Sequence, residues 1–130
     1  MKITEQSCSE RIEEMSASRI RDIVQLANCP EQTNEDGESL NEYGLHLHAQ
    51  EAENGETYLC WLLSTGGPHE EIRFYFGASK ECYRVEFVLM DWYDISTLEI
   101  KEGLDTLHAI FDEWAECGAC ENIQEDMKRI

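Results

Sequence analysis

Residues 45–64 read LHLHAQEAENGETYLCWLLS, and the fold follows from this stretch. Leu45, Leu47 and Ala49 alternate with His46 and His48, the period-two pattern of a half-buried strand. Thr57 to Ser64 is β-prone, and Asn54-Gly55 between the two runs is a hairpin signal. Towards the C-terminus, Gly66-Gly67-Pro68 breaks the chain, and Ile72, Phe74 and Phe76 then alternate with Arg73 and Tyr75. After a turn at Gly77 to Lys80, Cys82 to Met90 places Tyr83, Val85, Phe87 and Leu89 on one face, with Arg84, Glu86 and Val88 on the other. Four consecutive strands with short turns predict an antiparallel meander.

The flanks are helical. Ser9 to Asn28 carries Ile12, Ile20, Ile23, Val24 and Ala27 on one face with Met15 at its border; Ser9 is the expected N-cap and Pro30 ends the run. Beyond the meander, Asp91-Trp92-Tyr93-Asp94 interrupts, and Thr97 to Ile100 forms either a fifth short strand or the approach to a helix. Leu104, Leu107, Phe111, Trp114 and Ala115 recur at helical spacing within a helix over 102–116, stopped by Gly118. The expected architecture is one α+β domain over 1–130. It has an N-terminal helix (1–30), an acidic linker with a short helical turn at Leu40 to Tyr43 (31–44), a four- to five-stranded antiparallel sheet (45–100), and a C-terminal amphipathic helix packed on the sheet, with its tail (101–130). Such a sheet carries helices on one face and leaves the other to water or a partner.

Charge is the outlying property. The chain holds 28 Asp and Glu against 10 Lys and Arg, a formal −18. The surplus is regional: 31–71 contains ten acids and no Lys or Arg, while 1–30 has five acids against four bases. Polyanions, whether nucleic acid or anionic membrane, are poor direct ligands for such a surface. The N-terminal residues lack the apolar run of a secretory signal and no stretch is long enough to span a bilayer, so the expectation is a cytoplasmic protein with mostly reduced cysteines.

Signals for chemistry are thin. Cys117 and Cys120 form a CxxC, but at the predicted C-terminal end of a helix, where the dipole raises a thiol pKa, and without a second ligand pair for zinc. His46 and His48 point to one face of a strand, and with Glu53 they resemble the HxH half-motif of the cupins; the preceding glycine and the downstream half are missing. Ser64-Thr65-Gly66-Gly67 matches neither a nucleophile elbow nor a phosphate loop. The expectation is a protein that is not an enzyme, with no cofactor and no metal. Trp61 and Trp114 read as core and core rim, and Trp92-Tyr93, framed by Asp91 and Asp94, reads first as core packing with an interface anchor as the alternative.

The last helix carries an ordered acidic face. At 100° per residue Glu102, Asp105, Asp112, Glu113 and Glu116 fall on one stripe opposite the apolar set, with no cation among them. The spacing is about one charge per 4 Å, close to the roughly 3.4 Å between phosphates along one DNA strand. Glu51, Glu53, Glu56, Glu70 and Glu71 extend the candidate partner-binding set within the base-free block.

Size, acidity, free cysteines and the helix-plus-meander layout together resemble the small inhibitors that phages and mobile elements direct against bacterial defence, the anti-CRISPR and antirestriction proteins. Several of these are DNA mimics. The resemblance implies an intracellular inhibitor, in the host cytoplasm if phage-encoded, that docks carboxylates onto the basic nucleic-acid groove of a CRISPR or restriction effector. An immunity or antitoxin-like protein neutralising one basic nuclease is the alternative, and a small metal protein built on His46 and His48 a weaker one. An exposed sheet face with aromatics would support a homodimer.

Overall fold

The computed structural model describes residues 7–28, 37, 43–66, 68–91 and 94–121. Helix α1 (Cys8–Asn28) is followed by strands β1 (His46–Glu51), β2 (Thr57–Ser64), β3 (His69–Phe76), β4 (Cys82–Asp91) and β5 (Asp94–Glu99). Helix α2 (Leu104–Glu116) and a short 3-10 turn (Ala119–Glu121) complete the order. The strands form one antiparallel sheet in the order β1-β2-β3-β4-β5, the expected meander with the fifth strand added. The expected α+β class is therefore observed.

Alternation places the core. Leu59, Ile72, Phe74, Val85, Phe87 and Leu89 point to one face of the sheet and are buried against Ile12, Ile23 and Leu26 of α1 and Leu107 and Phe111 of α2. Both helices thus lie on the same face. Trp61, Phe74 and Trp114 lock α2 to the sheet, with Trp61 and Trp114 edge to face at 4.9 Å and Phe74 and Trp114 at 5.6 Å. Trp61 and Trp114 are packing residues, as their spacing suggests.

Several boundaries differ from the sequence reading, each for a local reason. Helix α1 begins one residue early because Ser7, not Ser9, caps it: the Glu10 amide donates to Ser7 Oγ at 3.3 Å while the Ser7 amide donates to Glu10 Oε1 at 2.8 Å, a reciprocal capping box. Tyr83 leaves the apolar face assigned to it. Tyr75 pairs with Arg84 and Phe76 with Cys82, so Tyr83 is the extra residue of a bulge, 54% exposed, and Cys82 takes the inward position. Helix α2 begins at Leu104, which leaves Glu102 outside it. Its N-cap, Gly103, has φ +73, and a Cβ there would stand 2.7 Å from Ile20 Cγ2, so glycine is required both by the backbone and by the close approach of α1. Residues 31–36 and 38–42, on which most of the helical turn expected at Leu40 to Tyr43 falls, and the tail 122–130 lie outside the described residues.

Candidate partner-binding surface

Four arginines of the fold, Arg11, Arg19, Arg73 and Arg84, sit on particular carboxylates, and this sorts the acidic set. Arg19 reaches from α1 across the sheet to Glu70, donating Nε to Oε1 and Nη2 to Oε2, both at 2.9 Å, while Ser64 Oγ donates to the same carboxylate at 2.8 Å. Burial pushes the Glu70 carboxyl up, and these hydrogen bonds outweigh it, so its pKa lies below the ordinary value. Glu71, buried on the opposite face, is held between His69 Nε2 at 2.6 Å and Arg73 Nε at 2.5 Å and is likewise lowered despite its desolvation. Glu56 accepts from Arg84 (2.9 Å), Tyr83 Oη (2.6 Å) and Asn54 (2.8 Å), which hold its carboxyl near 2. Asp91 pairs with Arg11 at 2.7 Å, and Asp94 accepts the Cys8 amide at 2.8 Å, an acid at the start of α1 where the helix dipole favours it.

Of the sequence-predicted set, Glu56, Glu70, Glu71, Asp91 and Asp94 are thus engaged within the fold. Glu51 and Glu53 are exposed at the end of β1 and in the turn after it. Trp92 and Tyr93 lie outside the described residues. On α2 the picture is different. Asp105, Asp112, Glu113 and Glu116 are all exposed, as is Glu102 just before the helix, and among the described residues none has a cation within 4 Å. Asp112 and Glu116 are one turn apart, as are Glu113 and Glu116, so like charges face each other. Glu113 and Glu116 also occupy the last turn, which has no basic residue to complement the dipole. Asp105 to Glu116 spans about 17 Å of helix axis.

The metal candidates are not gathered into a ligand set. The His46 and His48 rings stand 5.0 Å apart on the outer face of β1, with His48 Nε2 2.9 Å from Gln50 Oε1. Cys117 is exposed and Cys120 buried. Among the described residues no group of three or more His, Cys, Asp or Glu side chains is placed to hold an ion. Burial raises the Cys60 thiol, and it raises Cys82 to about 11, reinforced by the charge of Asp112.

What composition could not show is the outer face of the sheet. Arg73 lies over the Tyr58 ring at 4.8 Å and Arg84 over the Tyr75 ring at 4.1 Å, so these tyrosines are buried on the face that carries no helix. The alternation of Arg73 with Phe74 and of Arg84 with Val85 was the available signal; cross-strand register supplies the pairing.

The molecule is a two-layer α+β protein whose helical layer presents an uncompensated acidic helix. Comparison with protein-family models, with curated proteins and with solved structures returns no match. Among the described residues no helix is long and apolar enough to cross a membrane.

Proposed function

We propose that this chain is a non-catalytic inhibitor that sets the carboxylates of α2 against the basic nucleic-acid-binding surface of a bacterial defence effector, in the manner of a DNA mimic. One observation carries the reading: Arg11, Arg19, Arg73 and Arg84 are directed to Glu56, Glu70, Glu71, Glu86 and Asp91, while Asp105, Asp112, Glu113 and Glu116 are left exposed and unpaired among the described residues. Repulsion along that helix opposes folding, so its retention favours a use in recognition over a solvating surface. Attraction of this kind accelerates encounter and is screened by salt.

The test is a capture from bacterial lysate at low and high salt with the full chain as bait, followed by mass spectrometry and by competition with duplex DNA. The expected result is a basic nucleic-acid-binding effector that is retained at low salt, released at high salt and displaced by DNA. Equal capture by a bait carrying Asp112→Lys and Glu116→Lys, or indifference to DNA, overturns the proposal.

A further inference from the structure

Strand β5 is an edge. It pairs with β4 alone, and no described strand lies beyond it. The Ile100 amide donates to Val85 O at 2.8 Å, which sets the polarity of the ladder: even-numbered residues of β5 turn their backbone groups to β4, and Ile95, Thr97 and Glu99 turn theirs outward. Those three residues are also exposed, Ile95 by 58%. Beside this edge runs a groove of about 960 Å³, walled by Ala17, Ile20 and Val24 of α1 and floored by Leu98 and Ile100, with Glu13, Glu99 and Glu102 outnumbering Arg21 and Lys101 among its charged lining residues. An unpaired edge alongside a helix-walled apolar groove is the arrangement that accepts an added strand.

Charge indicates what the added strand carries. On the outer face Glu99 stands directly opposite Glu86. Arg84 Nε reaches Glu86 at 3.1 Å, and Glu99 has no cation within 4 Å among the described residues. A like-charged cross-strand pair is unfavourable, and a basic residue on a neighbouring strand, placed across from Glu99, would relieve it. Natural sheets protect such edges. At the other end of the sheet the 3-10 turn packs against β1, while on the β5 side α1 packs against the strand and leaves the outward backbone groups of Ile95, Thr97 and Glu99 without a described strand partner.

We propose that β5 and the α1 groove form a docking site for an extended segment of a partner protein, added antiparallel or parallel to β5, with apolar side chains entering the groove and alternate basic side chains facing Glu99. Apart from Glu102, which lines the groove, the site shares no residue with the acidic set of α2, and it does not depend on that reading.

The probe is a short synthetic peptide of alternating lysine and valine with blocked ends, titrated into the isotope-labelled full chain. Its control is the same peptide methylated on the backbone nitrogens that would bond to β5. The expected result is movement of the Ile95, Thr97, Glu99, Ala17 and Val24 amide signals, and binding at least about tenfold weaker for the methylated peptide. Thr97→Pro removes an outward amide without touching the β4 ladder, and Ala17→Trp fills the groove from an exposed helix position; each lowers affinity by about tenfold or more. Should Thr97→Pro fail to fold, Ala17→Trp carries the test alone. Equal binding of the methylated peptide, signal changes confined to α2, or no binding at about 1 mM overturns the proposal. Self-association of the peptide-free chain that Thr97→Pro abolishes assigns the edge to a second copy and overturns the partner named here.

Discussion

Glu70 shows how much a single side chain in this chain depends on a distant one. It sits in a segment with no base of its own, yet Arg19, 51 residues away, closes a bidentate pair on it, and the carboxylate is buried. Its folded pKa is lowered from 4.5, so the stability it contributes is present above that value and is lost as pH falls through the lower folded one. Denaturant unfolding followed from neutral to acid pH should therefore show the acid-limb slope shrinking in Glu70→Gln. Arg19→Ala, which leaves the carboxylate buried and unpaired, should cost about 2–3 kcal/mol at neutral pH, somewhat under the cost for a fully buried pair because Arg19 keeps some exposure. A variant within about 0.5 kcal/mol of the parent would show the pair to be marginal. Glu70 was legible as an acid in the sequence and illegible as an ion-paired one, because the partner lies on another element.

Helix α2 was legible almost whole. Its apolar spacing gave the buried face of Leu107 and Phe111, and the same periodicity gave the exposed acids; only its start was misplaced, because the positive φ of Gly103 and its contact with Ile20 are tertiary facts. The helix also yields a prediction with opposite signs for folding and function. Asp112→Lys with Glu116→Lys exchanges one like-charge pair for another, but it turns the repulsion between positions 113 and 116 into an attraction and complements the dipole, and should raise stability in urea by about 0.5–1 kcal/mol. The same variant is the one expected to lose partner capture. A loss of stability would mean that these carboxylates hold the fold together and would remove the argument for a recognition surface. Helix α1 was equally readable along its core face, while its first residue was set by the Ser7 and Glu10 box, a pattern shifted two positions from the serine that the apolar periodicity favoured.

For the whole molecule, the net charge of −18 means that long-range repulsion acts against compaction. Added sodium chloride should raise the urea midpoint of the parent between about 0.01 and 0.15 M, as the screening length falls from roughly 30 to 8 Å, and should raise it less in the lysine-substituted α2 variant. A midpoint that falls with salt would show that the arginine pairs outweigh the repulsion. Period-two and helical-period patterning were enough to define the meander, its flanking helices and the apolar face of each, since burial of an alternating or helical stripe is a local property of the chain. Register and pairing were not local. Which carboxylates are neutralised, which face Tyr83 occupies after its bulge, and which edge of the sheet stays open were decided only when strands came side by side, because an ion pair or a cross-strand neighbour is set by distance in space and not by separation along the sequence.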